Sequence, residues 1–110
     1  MILDLMELPE QPMRNFKGGE GIAWVRMFSD DNNRIAMIRI QPGCSIGMHT
    51  HETNSEIMHV LRGTARVVMA DRIEYVSAGQ VHYCPKGCAH MTEPAGMEDL
   101  VLLAVIPEHA

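Results

Sequence analysis

Glycine, proline and short polar residues recur so closely along these 110 residues that no long helix fits between them. Clusters at 17–19, 29–33, 41–43, 62–63, 70–72, 77–79, 85–87 and 94–96 gather the residue types that turns use, because they supply a fixed φ, a positive φ or a local side-chain hydrogen bond. The runs between them, 22–28, 34–40, 45–51, 56–61, 64–69, 72–76, 81–84, 89–92 and 100–106, all have strand length. Many short strands at regular spacing predict an all-β chain. Runs 81–84 (VHYC) and 100–106 (LVLLAVI) are apolar at successive positions, which predicts burial of both faces and hence a sandwich or a closed barrel. Pro9 and Pro12 argue against a helix in residues 1–20, leaving an irregular arm or an edge strand there, with the barrel over 21–107.

Length and composition set the outer bounds. A chain of 110 residues with 46% hydrophobic and 21% charged residues is expected to form one globular domain, residues 1–110, with a core that needs no disulfides. The net charge is -5 and the positive residues are scattered, so no nucleic-acid partner is expected. Apolar stretches fall far short of the ~20 residues of a membrane helix, so no membrane partner is expected either. The acidic opening MILDLMELPE lacks a basic signal region, which points to a cytoplasmic protein. The three cysteines, Cys44, Cys84 and Cys88, are expected as reduced thiols, with Cys84 and Cys88 buried and inert.

The chemistry concentrates in one stretch. His49-Thr50-His51 places two imidazoles two residues apart, and the period of a strand sends both to one face. A turn over residues 52–55 brings Glu56 to the start of the neighbouring strand beside that pair. His90 follows the Pro85-Lys86-Gly87 turn and offers a third imidazole. Three imidazoles and one carboxylate suit a divalent transition metal with coordination positions left open; Mn, Fe, Ni, Zn, Co and Cu all accept such donors. Random placement gives a His-x-His-x4-Glu string with a chance on the order of 0.02.

The flanking residues make the pattern more specific. In GCSIGMHTHETNSEIMHVLRG, Gly43, His49, His51, Glu56 and Gly63 stand in the order and spacing of the first motif of the cupin superfamily, which this stretch resembles. Gly79, Pro85, Gly87 and His90 resemble the second cupin motif, with Pro94 where that motif usually has Asn. The resemblance covers 42–94. It implies a single small β-barrel of jelly-roll topology with one divalent metal per chain in its mouth, His49, His51, Glu56 and His90 as the ligands, and a homodimer.

Strand parity supplies the remaining candidates. Residues that share a face with the ligands, Gly47, Met58, Val60 and Thr92, are expected to line the pocket, with Gly47 leaving room for a ligand. His82 sits at a position usually apolar in cupins and is a candidate for a pocket or catalytic role. Arg39 is either an anion anchor or a satisfied edge residue. His59 faces away from the ligands, and His109 is read as a solvated surface side chain.

Two functions stand beside each other. One is a metal-dependent enzyme of lyase, isomerase or dioxygenase type, acting on a small polar molecule, with His82 or a metal-bound hydroxide as the base. The other is a module that binds a small ligand for sensing or storage without turnover, since fold does not decide function.

Overall fold

The computed structural model describes residues 1–109. Its strands are β1 (Gln11–Arg14), β2 (Ile22–Ser29), β3 (Asn33–Ile40), β4 (Ile46–Thr50), β5 (Glu56–Arg62), β6 (Thr64–Met69), β7 (Ile73–Ser77), β8 (Val81–Cys84), β9 (Ala89–Pro94) and β10 (Leu100–Pro107). The 3-10 turns Leu5–Glu7 and Phe16–Gly18 flank β1. One sheet has the order β1-β2-β3-β10-β5-β8 and the other β4-β9-β6-β7, all antiparallel.

Alternation along each strand builds the core. Ala36, Ile38 and Ile40 on β3, Leu100, Leu102 and Ala104 on β10, Met58 and Val60 on β5, and Ala65 and Val67 on β6 are all buried between the sheets. Fully burying the Ile, Leu, Met and Val side chains among these contributes about 1.5–3 kcal/mol each. No helix among the described residues is long and apolar enough to cross a membrane.

Two expectations need correction. The sheets face each other as a jelly-roll sandwich rather than closing into a barrel, because their ladders end at β1 and β8 in one sheet and at β4 and β7 in the other. Pro12 lies in the edge strand β1, where a missing N–H costs no ladder bond. The apolar runs 81–84 and 100–106 do not bury both faces. Val81 and Tyr83 are more than half exposed and the outward side chains of β10 only half-buried, since among the described residues only the N-terminal arm reaches the outer face of the six-stranded sheet, at Arg26 and Arg39.

A third departure lies in β4. Ile46 pairs with Thr92 and His49 with His90, so two residues on β4, Gly47 and Met48, lie opposite one on β9, Met91, and the strand carries a bulge. The bulge breaks the period of two, and Ile46 turns inward along with His49.

Candidate metal centre

Turn chemistry brings the donors together. The Pro85–Cys88 turn is closed by the Cys88 N–H donating to the Pro85 carbonyl at 3.1 Å, with Gly87 at φ +89° in the position where such a turn needs positive φ. The Gly87 N–H donates to the His51 carbonyl, and the His51 N–H to the Cys88 carbonyl. The turn is thereby bound to the end of β4, and β9 sets His90 directly opposite His49. Glu56 opens β5 after the loop that follows His51.

The side-chain donors of His49, His51, Glu56 and His90 all lie within 4.8 Å of one another. Glu56 Oε1 is 3.0 Å from His51 Nε2, 2.9 Å from His90 Nε2 and 3.8 Å from His49 Nε2. His51, Glu56 and His90 are buried; His49 is partly open. Burial alone pushes the Glu56 carboxyl up, but the three imidazoles, His51 and His90 within hydrogen-bond distance and His49 at 3.8 Å, outweigh it and hold the group well below the ordinary carboxylate value. The hydrogen bond to Glu56 raises the pKa of His51 against the opposing effect of burial, with Asn54 adding to it.

The donor set fits a cation. The Gly47 carbonyl accepts from His49 Nδ1 at 2.8 Å and Asn54 Oδ1 accepts from His51 Nδ1 at 2.7 Å, so in both rings Nε2 is the atom turned to the cluster. His51 Nε2 and His90 Nε2 are 3.0 Å apart. Metal–nitrogen bonds of about 2.1 Å place adjacent ligands at a right angle at roughly that separation. These four residues can hold one metal ion, and imidazole with carboxylate does not select among the transition metals.

A cavity of about 360 Å³ opens on this cluster. His49, His51 and Glu56 line it directly, and Val25, Ala36, Ile38, Ile46 and Ile106 form apolar wall. Phe16, Lys17, Arg34 and Glu52 add an aromatic ring and three charges. Neither Lys17 nor Arg34 has a carboxylate within ion-pair distance among the described residues, whereas Arg39, Arg62, Arg66 and Arg72 are all so paired. The Lys17 charge reaches His51 and opposes its protonation.

The other candidates sit elsewhere. Met58, Val60 and Thr92 point inward, as their parity predicts, but they pack in the core and do not line the cavity. The Thr92 hydroxyl contacts the Met58 sulfur at 3.8 Å. Gly47 leaves no room for a ligand, because the chain at Lys17–Gly19 already occupies the space its Cβ would take; Gly19 N lies 2.6 Å from that point. The glycine acts indirectly, by letting the Phe16–Gly18 turn settle over β4 and carry Phe16 and Lys17 to the cavity wall. Arg39 is on the outer face of the six-stranded sheet, bonded to Glu10 at 3.1 Å and stacked over Trp24, so it cannot serve the site. The reason is parity: Arg39 alternates with the inward Ile38 and Ile40.

His82 is buried behind His90, with the two rings stacked at 6.0 Å, and its Nε2 is 3.2 Å from Glu74 Oε1. Burial and the neighbouring His90 lower its pKa. It does not line the cavity, which leaves Glu52 as the carboxylate outside the donor cluster that does. Burial pushes the Cys84 thiol up to about 11, so it is protonated at neutral pH. His109 is not merely solvated: its Nε2 is 2.8 Å from Ser55 Oγ, beside the loop that bears Asn54.

Alternation could have revealed Arg34, which shares its parity with Ala36, Ile38 and Ile40. Nothing local marks Lys17 or Asn54.

Residues 36–106 match the cupin domain family. An oxalate-binding protein of Thermotoga maritima is 30% identical over 96% of this chain and 93% of its own length. The crystal structure of a predicted oxalate decarboxylase from Thermotoga maritima superposes with a TM-score of 0.90 at 28% identity, over 98% of this chain and 99% of that one. Mannose-1-phosphate guanylyltransferase 2 of Escherichia coli O157:H7 is 33% identical over 66% of this chain, which amounts to 15% of that protein.

Proposed function

The chain belongs to the cupin family, and from that membership we propose that it holds one divalent transition metal on His49, His51, Glu56 and His90 and acts there as an enzyme on a small carboxylate-bearing molecule. The observation that carries this reading is a cluster of four donors, three of them lining a cavity of about 360 Å³, whose wall also holds two cations with no carboxylate within ion-pair distance among the described residues. That volume is at the small end for ligand sites and suits a molecule of few heavy atoms. The metal, when bound, supplies Lewis-acid polarisation of a carboxylate or carbonyl oxygen. Lyase, isomerase and dioxygenase chemistry all use that property.

The residues of the chain supply the rest. Lys17 and Arg34 draw and orient an anion in a protein whose net charge is otherwise negative. The apolar wall limits water around the reacting group, and Glu52 is the side chain placed to take or return a proton. His82, behind His90, cannot take that part.

A second reading, capture without turnover, is favoured by the sparse proton chemistry of the cavity and by the likeness to a protein named for binding oxalate. The test is to load the protein with manganese, iron or zinc, add oxalate and other small mono- and dicarboxylates, and follow both binding heat and product formation. Turnover supports the enzyme; saturable binding without product supports the second reading. If the metal-loaded protein neither binds nor converts any carboxylate, both are wrong.

A second copy of the chain is the proposed partner for the outer face, where Ile57, Leu61, Val81 and Tyr83 are exposed. Sedimentation at micromolar concentration is expected to show a dimer, and a monomer alone contradicts it. A cytoplasmic setting is proposed on the free thiols Cys44, Cys84 and Cys88.

A further inference from the structure

The three imidazoles are not fixed in the same way. His49 Nδ1 faces the Gly47 carbonyl at 2.8 Å, a backbone acceptor that cannot reverse its role. His90 Nδ1 is buried without a hydrogen-bond partner. His51 Nδ1 alone faces a group that can present either a donor or an acceptor, the side-chain amide of Asn54. The state of His51 therefore depends on what orients Asn54.

That group is Glu108, which follows β10. Asn54 Nδ2 donates to Glu108 Oε1 at 3.0 Å, and Thr53 Oγ1 donates to Glu108 Oε2 at 2.9 Å. Backbone bonds hold the two segments together: the Ser55 N–H donates to the Pro107 carbonyl and the His109 N–H to the Thr53 carbonyl. An ionised carboxylate only accepts, so it requires the NH2 end of the Asn54 amide. The amide oxygen is then turned to His51, whose Nδ1 must carry the proton. With Nδ1 so protonated, Nε2 can offer its lone pair to a cation beside Glu56 and His90, whereas without a cation the Glu56 carboxylate at 3.0 Å competes for the ring proton.

We infer that Glu108 is a positioning residue for the metal centre, setting the tautomer of His51 through the orientation of the Asn54 amide. This rests on the reading of the four-residue cluster as a metal site. The chain from Glu108 to Asn54 to His51 is polar, directional and partly exposed, and each link has one acceptable orientation while Glu108 is negative. The hydrogen bonds from Asn54 and Thr53 also hold the Glu108 carboxyl below its ordinary range, which keeps it an acceptor.

Reversing the charge tests this. In Glu108→Lys, an ammonium in place of the carboxylate demands the amide oxygen, so the amide turns over and presents NH2 to His51. The neutral ring must then protonate Nε2, the atom needed for metal. Chelator competition with zinc is expected to show about 10–100-fold weaker binding. Adding Asn54→Asp removes the asymmetry, because both carboxylate oxygens accept, and the double variant is expected to recover to within about threefold of the native protein. An independent readout needs no metal: long-range nitrogen-15 NMR of the metal-free protein, at a pH where His51 is neutral, is expected to show a larger Nδ1–H share in the native chain than in Glu108→Lys, with Glu56 drawing the proton toward Nε2 in both. Native affinity and an unchanged tautomer in Glu108→Lys overturn the inference, as does a loss that Asn54→Asp does not restore. If the native chain binds no zinc, the metal-site reading fails, while the NMR comparison still decides the tautomer relay.

Discussion

Replacing Gly47 by alanine tests how the cavity is built. A Cβ at this position meets Gly19 N at 2.6 Å and Gly18 C at 2.7 Å, about 0.8 Å short of the 3.4 Å at which ordinary contact begins. Both atoms are backbone, so no rotamer change relieves the overlap. The reciprocal contact is equally close: a Cβ on Gly19 meets Gly47 N at 2.7 Å. The turn at Phe16–Gly18 must therefore lift off β4, against positive φ at Asn15 and Lys17 that only a docked turn keeps in place. Overpacking of this kind costs about 1–3 kcal/mol. For a domain of this size that corresponds to a fall in Tm of roughly 4–12 °C. Thermal melts by circular dichroism measure it, with Gly96→Ala as the control, since nothing lies within 4 Å of a Cβ there. Metal content is expected to persist, because the Gly47 carbonyl that holds His49 is unchanged, whereas carboxylate binding is expected to weaken as Phe16 and Lys17 leave the wall. A Gly47→Ala protein that melts within about a degree of the native one refutes the docking of this turn as the source of the cavity wall.

Met58→Ala removes a fully buried side chain between the sheets and is expected to cost about 2–5 kcal/mol, read from urea unfolding, whereas a cost under about 1 kcal/mol contradicts its place in the core. Lys17→Ala and Arg34→Ala are expected to weaken carboxylate binding by about tenfold each with metal content unchanged, and to reduce its salt dependence; unaltered affinity in both removes the anion from the proposal. The metal-free protein should have a stability maximum set by two groups of opposite sign. His51 is held above 6.5, chiefly by its hydrogen bond to Glu56, so its contribution is complete below pH 6.5 and is lost as pH rises through the raised value. Glu56 is held well below 4.5 by the imidazoles despite its burial, so its contribution is complete above pH 4.5 and is lost as pH falls through the depressed value. Melts of metal-free protein are expected to be highest between those limits, and a Tm that climbs steadily from pH 6 to 9 contradicts the pairing.

Much of the architecture was legible because turn residues punctuate it. Runs 64–69 and 81–84 coincide with β6 and β8, and the other runs differ from their strands by at most two residues at either end, while β1 falls within the arm or edge strand expected for residues 1–20. The donors were legible because a period of two and a tight turn suffice to bring His49, His51 and Glu56 together, while Gly87 aims His90. What escaped depends on contacts distant in sequence. The bulge in β4 reverses the face of Ile46, a local event that alternation cannot foresee. Lys17 reaches the cavity only because Gly19 and Gly47 let two backbones touch, and Asn54 matters only because Glu108 returns beside it from the far side of the fold. The open edges at β7 and β8 reflect which ladders form, and apolar composition alone does not distinguish a sandwich from a barrel.

The central claim is that four side chains from β4, the segment that follows it, β5 and β9 bind one metal ion. Elemental analysis after reconstitution with manganese or zinc and removal of excess, on the native chain and on His51→Ala, tests it most directly. The expected result is about one equivalent per native chain and less than about a tenth in the variant, because losing one of four ligands leaves three donors and an unpaired buried carboxylate. A native protein that retains no metal, or a variant that retains as much as the native chain, contradicts it.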